Sequence, residues 1–308
     1  MTTDDLKGSS GFQRRYRYAP YFFLLPFFLI TAVFFIYPLI QAVPLAFYQT
    51  NGPLSRAWVG LDNFIFILTD EVFHKAVFNT CFYAFFSVFL QLPLALCLAL
   101  LLNSRKDKLK GFFRLLLFSP NLVGQVFVGV IFSVIFIPRF GLFNRFLHAL
   151  IGWGLEEHWL DQPELVMPAI VLTALWLYTG FNMIYFLAGL QSVDQDLIDA
   201  ARIDGANAWQ VFWNVTFPAI KPVATFVVVI STIGSFQSFE LPYSLLRNYG
   251  EGFGPQNSGM TIVGYLYDTA FNSGDLGTGA AVGWILALII FSISVVQIRL
   301  SGTLRREA

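Results

Sequence analysis

Residues 196–222 read DLIDAARIDGANAWQVFWNVTFPAIKP and form a polar break between two long apolar segments. Asp194 can cap a short helix that ends near Asp204, because its side chain can accept a hydrogen bond from a free backbone N–H at the helix start. Gly205 follows, and glycine adopts the left-handed conformation that ends helices without steric cost. The pattern predicts a helix, a kink at Gly205 and a second helix.

The second helix is predicted to begin at Asn207, which pairs with Gln210 in the pattern of a capping box. It carries an aromatic face at helical spacing, which we expect to be buried: Trp209, Phe212 and Trp213. Pro218 and Pro222 are expected to end it. The first helix leaves a small face, Ala200–Ala201, open to a partner. The alternative is an amphipathic helix that only anchors the loop at the membrane surface.

The amino-acid composition indicates whether the chain folds in water or in a membrane. Of 308 residues, 56% are hydrophobic and 12% are charged, and the mean hydropathy is +0.64. Soluble domains carry about 25% charged residues, so the chain is an integral membrane protein. Six apolar segments exceed the roughly 20 residues that cross a bilayer: Ala19–Tyr48, Phe73–Leu102, Leu115–Ile137, Leu165–Leu190, Val223–Leu246 and Gly277–Leu300. Backbone groups in lipid must be satisfied within the segment, which predicts an all-α membrane protein with six transmembrane helices.

Basic residues orient the chain, because Lys and Arg are enriched on the cytoplasmic side of membrane proteins. With the N-terminus inside, all but five of the 19 Lys and Arg residues flank the helices on the inner side; the exceptions are Arg56, Lys75, Arg139, Arg145 and Arg247. Both termini are therefore predicted to be cytoplasmic. The predicted organisation is a tail (1–18), a transmembrane region (19–300) that contains the polar loop 191–222, and a second tail (301–308).

The sequence carries no catalytic or ion-coupling motif. No lysine is preceded by glycine, so the Gly-Lys pair of a phosphate-binding Walker A loop is missing. The three histidines lack metal-ligand spacing, and neither a metal, a cofactor nor a nucleic-acid partner is expected. Glu240 is the one acidic residue within the apolar segments. Its place about 25 Å along the fifth helix predicts an interfacial acid rather than a central ion site.

The loop also contains a recognisable signature. Asp199-Ala200-Ala201 is followed, after three residues, by Gly205-Ala206. This spacing resembles the EAA signature, Glu-Ala-Ala-x-x-x-Gly, of permease subunits of binding-protein-dependent ABC importers. Asp199 replaces the usual glutamate and has a shorter reach toward a partner, and Asp194 stands where proline is frequent.

Three further stretches resemble the carbohydrate branch of that family: VGLDNFIFILTDEVFHKAVFNT (Val59–Thr80), FNMIYFLAGLQSV (Phe181–Val193) and GPQNSGMTIVGYLYDTAF (Gly254–Phe271). Six helices with the signature between the fourth and fifth are also that branch's arrangement. The resemblance covers nearly the whole chain. It implies the type I ABC importer permease fold with a cytoplasmic coupling helix, in the cytoplasmic (inner) membrane.

The resemblance implies a role for five signature residues in a coupling helix that docks into a cleft of a cytoplasmic ATPase: Asp199, Ala200, Ala201, Gly205 and Ala206. The implied partners are two ATP-binding subunits, a second homologous permease in a heterodimeric pore, an extracytoplasmic solute-binding protein and membrane lipid. The chain itself is then a transport subunit rather than an enzyme.

A candidate substrate path flanks the loop on the fourth and fifth helices. Seven residues on two helix faces define it: Tyr178, Phe181, Asn182, Ser231, Gly234, Ser235 and Ser238. Hydroxyl groups and aromatic rings suit sugars, whose rings offer polar edges and apolar faces, and the similar family takes its sugar contacts from these two helices. The alternative is that the small residues only pack helices together.

We interpret the chain as a permease subunit that carries a small carbohydrate, a sugar or sugar derivative, across the membrane and is energised by separate ATPase subunits. One alternative is an ABC permease for another solute. The other is a stand-alone secondary carrier or channel, which would need a central ion site. An intramembrane enzyme has no supporting motif.

Overall fold

The computed structural model describes five stretches of the chain: 19–52, 55–104, 109–152, 154–250 and 252–302. Within them, five helices are long and apolar enough to cross a membrane: Tyr21–Leu45, Glu71–Asn103, Pro163–Gln191, Ala208–Phe236 and Leu276–Ser301. A bent pair, Lys110–Leu122 with Gln125–Ile135, makes a sixth span. The predicted count of six is therefore confirmed when the pair is taken as one span. The predicted tails lie outside the described residues, apart from 301–302.

The elements of the first half are α1 (Ala19–Thr31), α2 (Tyr37–Leu45), β1 (Tyr48–Asn51), β2 (Ser55–Trp58), α3 (Asp62–Thr69), α4 (Glu71–Phe86), α5 (Leu92–Ser104), α6 (Lys110–Phe118) and α7 (Gln125–Ile135). Those of the second half are α8 (Leu142–Ile151), α9 (Pro163–Gln191), α10 (Gln195–Ile203), α11 (Ala208–Val211), α12 (Phe217–Phe236), α13 (Glu240–Leu246), α14 (Ile262–Tyr267) and α15 (Leu276–Ser301). Strands β1 and β2 form an antiparallel hairpin. We call its end of the bundle the hairpin side, and the opposite end, which carries residues 192–207, the loop side.

Prolines explain the irregular turns within three spans. Three wide π-helical turns each end two residues before a proline: Ala32–Ile36 before Pro38, Ser87–Gln91 before Pro93 and Phe212–Thr216 before Pro218. A proline inside a helix clashes with the carbonyl group four residues earlier, which here always lies in the π turn. The wider turn accommodates the ring and the span continues. The expectation that Pro218 and Pro222 end a helix is therefore wrong, because both lie within the span Ala208–Phe236.

Three predicted spans differ in extent from the observed ones. The first ends at Leu45, because the chain enters strand β1 at Tyr48. The third bends by 96° between its two halves, where Pro120 and Gly124 interrupt the helix. The fifth was expected to run to Leu246 but ends at Phe236. Glu240 instead begins the separate helix α13, which packs against α7.

The Asp275 carboxylate connects the hairpin to the last span by hydrogen bonds. Asp275 Oδ1 accepts hydrogen bonds from the backbone N–H groups of Thr50, Gly277 and Thr278, each at 3.1 Å. Its Oδ2 accepts from the Thr278 hydroxyl at 2.7 Å. Burial raises the pKa of the Asp275 carboxyl, but the hydrogen bonds from Thr278 and Thr50 outweigh it, so the pKa lies below its usual value. The ionised side chain therefore caps α15 and holds β1.

Two of the stretches that carry the family resemblance interlock on the hairpin side. Asn79 donates to the carbonyl oxygen of Met260 at 2.9 Å, and the Ile262 N–H donates to the Thr80 hydroxyl at 3.0 Å. The Tyr265 hydroxyl donates to Asp70 at 2.5 Å. The stretches Val59–Thr80 and Gly254–Phe271 thus form one hydrogen-bonded unit, which fixes the start of the second span against the region before the last one.

Close helix packing depends on a glycine in the middle of α9. A methyl group on Gly180 would lie 1.7 Å from the carbonyl oxygen of Leu117 in α6, so the two backbones touch. Gly234 in α12 differs, because a methyl group there meets no heavy atom within 4 Å. The same substitution to alanine can therefore be compared at a close-packed glycine, Gly180, and at a glycine with open space around it, Gly234.

We expect Gly180→Ala to lower the unfolding temperature of the purified protein in detergent by several degrees. The two helices must separate, and overpacking of this kind commonly costs about 1–3 kcal/mol. Gly234→Ala, the control, should unfold at the temperature of the parent protein. Equal unfolding temperatures for both variants would contradict the packing described for α6 and α9.

Candidate functional site

A polar cavity of about 330 Å³ lies among the spans. Its lining comes from four parts of the chain: Tyr83, Ser87, Gln91, Gln125, Tyr178, Phe181, Asn182, Ile230, Ser231, Gly234, Ser235, Gln237 and Ser238. None of these residues is charged. Ser87 and Tyr178 lie near the midpoints of the spans Glu71–Asn103 and Pro163–Gln191, which places the cavity at about half the membrane depth.

The structure brings all seven residues of the predicted substrate path to this one cavity. Helix α9 contributes its central aromatic and amide groups. Helix α12 and the residues just after it contribute what we call the serine stripe: Ser231, Ser235 and Ser238. Tyr185 lies one turn further along α9 and packs instead against Phe181 and Phe226, with ring centroids 5.1 and 5.8 Å away. The geometry gathers the predicted residues around a space, and their contact with a substrate stays a prediction.

Six lining residues were not predicted: Tyr83, Ser87, Gln91, Gln125, Ile230 and Gln237. Three of them have a signal in the sequence, because Tyr83, Ser87 and Gln91 recur at intervals of four in an otherwise apolar segment. Gln125 and Gln237 lie where helices begin or end. Sequence periodicity gives no signal at such breaks, since it assumes a continuous helix.

Hydrogen bonds within the cavity wall leave its side-chain amides free, and two of these residues are buried. The Ser235 hydroxyl donates to the carbonyl oxygen of Ser231 at 2.7 Å in its own helix. The side chains of Gln91 and Asn182 are only 3% and 5% exposed. In the described part of the chain, no residue hydrogen-bonds either side-chain amide. Both residues line the cavity, so their amide groups are available to water or to a ligand.

The cavity wall also contains the breaks in the spans. Gln91 ends the π turn Ser87–Gln91, Gln125 follows the 96° bend, and Gln237 follows the last residue of α12. Within a bilayer, non-helical backbone is tolerated only where protein buries it or where it lines a water-filled space. Three interruptions around one polar space are consistent with a hydrated cavity.

A carboxylate stands beside the cavity without lining it. Glu240 is exposed and begins α13, two residues after Ser238. Ser238 lines the cavity, whereas Glu240 does not. The fifth helix is therefore not continuous up to Glu240, and the position of Glu240 near the outer interface stays a prediction.

A second cavity, of about 440 Å³, lies on the hairpin side and contains three carboxylates, Asp70, Asp268 and Asp275. Each of them already accepts a hydrogen bond, from Tyr265, Asn272 and Thr50 respectively. Among the residues that the structure describes, no His, Cys, Asp and Glu group is arranged to hold a metal ion. This cavity belongs to the interlocked hairpin side rather than to the predicted path.

The loop has the predicted backbone. The Asp194 carboxylate caps α10 by accepting from the Asp196 N–H at 2.9 Å. Gly205 has a φ of +85°, which confirms the left-handed kink. Asn207 and Gln210 form the predicted capping box, with both bonds at 2.9 Å. A helix, a kink and a second helix follow one another as the sequence indicates.

The exposed faces of the loop differ in part from expectation. Ala200 is exposed and Ala201 and Ala206 are half-buried. The exposed Asp199 carboxylate already accepts from Arg202 at 3.2 Å and from Gln195 at 3.1 Å.

The rest of the chain does not bury the aromatic face, and its burial at the membrane surface stays a prediction. Trp209 is 69% and Trp213 44% exposed, and their rings pack mainly against each other and against Phe212 and Phe217. The second helix buries Val211 and Thr216 instead, because its inward face is set by the longer helix that continues into α12.

Apolar spans around an uncharged polar cavity, with an ordered polar loop at one end, define a membrane transport protein. Residues 65–306 match the family described as binding-protein-dependent transport system inner membrane component. The chain therefore belongs to this family of transport permeases.

Its relatives include several named permeases. It is 37% identical to the arabinooligosaccharides transport system permease protein AraP of Bacillus subtilis, over 94% of this chain and 90% of AraP. It is 31% identical to the lactose transport system permease protein LacF of Rhizobium radiobacter, over 94% and 95% of the two chains. The sn-glycerol-3-phosphate permease protein UgpA of Brucella abortus is 32% identical, over 91% and 93%.

The fold agrees with a solved transporter. A chain in the crystal structure of a bacterial ABC transporter, involved in the import of the acidic polysaccharide alginate, superimposes with a TM-score of 0.80 at 25% identity. The match covers 94% of this chain and 96% of that chain. The predicted permease fold is thereby confirmed.

Proposed function

We propose that the chain is the permease subunit of an ABC importer for an uncharged sugar or oligosaccharide, energised by separate ATPase subunits. The observation that carries the proposal is the chemistry of the central cavity. Its lining combines hydroxyl groups, amides and aromatic rings and contains no charged residue. A sugar ring offers hydroxyl groups at its edge and C–H groups on its faces, and this wall can satisfy both.

The lack of positive charge distinguishes among the substrates of the relatives. A phosphate ester or an acidic polysaccharide would be favoured by Lys or Arg in the path, because burying an unpaired anion is costly. The described lining of the cavity supplies none, and the exposed carboxylate of Glu240, two residues after Ser238, would disfavour an anion. Neutral substrates such as those named for AraP and LacF therefore fit better than those named for UgpA and the alginate transporter.

The loop would connect the cavity to the ATPase. We place it, with both termini, on the cytoplasmic side, as the distribution of Lys and Arg indicates. Ile203, at the end of α10, is 86% exposed. The helix and its two caps carry one arginine, Arg202, which pairs with Asp199, and four exposed aspartates: Asp194, Asp196, Asp199 and Asp204. A protruding apolar residue within an acidic surface would fit an ATPase cleft that has an apolar floor and a basic rim.

Two other partners follow from the remaining surfaces. The first span, Tyr21–Leu45, is almost fully exposed in this chain, and we assign its apolar surface to lipid and to a second, homologous permease. The hairpin side would face the solute-binding protein outside the membrane. The chain would then be one half of a heterodimeric pore with two ATP-binding subunits.

Reconstituted uptake tests the substrate. The complex that co-purifies with this chain, placed in liposomes with its binding protein and ATP, should take up lactose or an arabinotriose but not sn-glycerol 3-phosphate. Ser238→Leu should reduce this uptake at least tenfold, because the larger apolar side chain fills the cavity and removes a hydroxyl group. Ser292→Leu is the matched control, since Ser292 is exposed and bonded to its own helix.

The substrate experiment has clear contrary outcomes. Uptake driven by an ion gradient without ATP would support a stand-alone carrier instead. Preferred uptake of the anion would support a permease for another solute class. Normal uptake by Ser238→Leu would show that the serine stripe only packs helices.

Co-purification tests the loop. Ala201→Trp should displace α10 from the cleft of the ATPase, because a large residue at a close contact forces separation. Gly205→Val should also weaken the complex, because a β-branched residue disfavours the left-handed φ of +85°. Asp199→Ala should be milder, since Asp199 is exposed and already paired within its own helix.

The amount of ATPase recovered with the tagged chain is the measurement. Ala57→Trp on the exposed hairpin provides the control for the size of the new residue. If the Ala201→Trp chain recovers as much ATPase as the parent chain, the loop does not bind the ATPase and is only an anchor at the membrane surface.

A further inference from the structure

The central cavity has a third wall that neither α9 nor α12 supplies. The turn Ser87–Gln91 packs against both of these helices. Tyr83, Ser87 and Gln91 project from α4 and this turn into the cavity, and all three are buried. The hydroxyl of Tyr83 faces those of Ser87 and Ser238, so the third wall joins the serine stripe.

Gln91 is the member of this wall whose hydrogen-bonding capacity is unused. Its side chain is 3% exposed, and no residue in the described part of the chain hydrogen-bonds the amide. A primary amide has two N–H donors and one oxygen acceptor. Because Gln91 lines the cavity, a ligand that enters can pair with this amide in place of water.

The backbone conformation at Gln91 also indicates that this residue has a role in the cavity. Pro93 clashes with the carbonyl group of Phe89, and the π turn Ser87–Gln91 accommodates it. Isolated π turns are frequent at functional sites, because the extra residue changes which side chains face inward. Here the turn directs Gln91 into the cavity, while Phe89 and Leu90 stay exposed on the surface of the chain.

Two amides then face one space from different helices. Asn182 on α9 is 5% exposed and lacks a partner among the described residues, as Gln91 does. A hydroxyl group both donates and accepts a hydrogen bond, as an amide does. A ligand with several hydroxyl groups can therefore satisfy both amides at once. An anion would use only their N–H groups and leave both oxygen atoms unpaired.

We propose that Gln91 is a specificity-determining residue that binds a hydroxyl group of the transported sugar opposite Asn182. The inference rests on the proposed function, because it takes the cavity as the path of a sugar. It adds a third helix to the binding wall and predicts that selectivity among neutral sugars depends on the second span.

The test compares Gln91→Met, Gln91→Asn and Gln297→Met in the reconstituted complex. Methionine keeps the approximate length of glutamine and removes its hydrogen bonds. Gln297 is the matched control, because it is a partly buried glutamine that bonds to Thr232 and does not line the cavity. Maximal ATP-dependent uptake is measured separately for lactose and arabinotriose, with recovery of the assembled complex as the check on folding.

We expect Gln91→Met to lower maximal uptake at least fivefold and to change the ratio of the rates for the two sugars more than twofold. Gln91→Asn should keep more uptake with an altered ratio, since the amide remains but is displaced by one methylene. Gln297→Met should keep the parent ratio. A changed ratio is a readout that a merely structural role of Gln91 would not produce.

The outcomes separate the two proposals. Parent rates and ratio in Gln91→Met, or an equal loss in Gln297→Met, overturn the role of Gln91 while the proposed function stands. If Gln91→Met does not assemble, Gln91→Asn decides, and an unchanged ratio there overturns the role. Uptake of neither sugar by the parent complex overturns the proposed function and this inference together.

Discussion

The structure depends on one constraint: each backbone N–H and C=O group inside a bilayer needs a partner within the protein or in a hydrated space. Most of the chain meets it with continuous helix. Three interruptions are grouped around the central cavity, where a π turn, a 96° bend and the end of α12 place Gln91, Gln125 and Gln237. The same interruptions that the lipid would penalise supply the polar side chains of the path.

The position of the loop suits the coupling role that we propose for it. Two spans leave it directly, Pro163–Gln191 on one side and Ala208–Phe236 on the other. Both line the cavity at their middle or far end. Under the proposed function, a displacement of α10 would move these two walls of the cavity, and the third wall, on the span Glu71–Asn103, would supply a reference surface. Coupling between distant sites requires two states of such an element.

The sequence predicted the parts of this structure that follow from local chemistry. Asp194, Gly205 and the Asn207–Gln210 pair were predictable because capping depends on neighbouring backbone. The serine stripe was predictable because a polar helix face in lipid needs a reason to exist. The effect of Pro218 and the end of the fifth span at Phe236 were not predicted, because tertiary packing can accommodate a proline in a π turn or end a helix without a local signal.

The central claim is that the cavity is an aqueous path whose access changes with the state of the ATPase. Its most direct measurement is the reactivity of Ser231→Cys with a charged, membrane-impermeant thiol reagent, after replacement of the exposed Cys81 and Cys97. The account predicts labelling in the assembled transporter, a changed rate when a non-hydrolysable ATP analogue is bound, and no labelling of Leu90→Cys on the outer face of the π turn. A Ser231→Cys that is as unreactive as Leu90→Cys, with or without nucleotide, would contradict it.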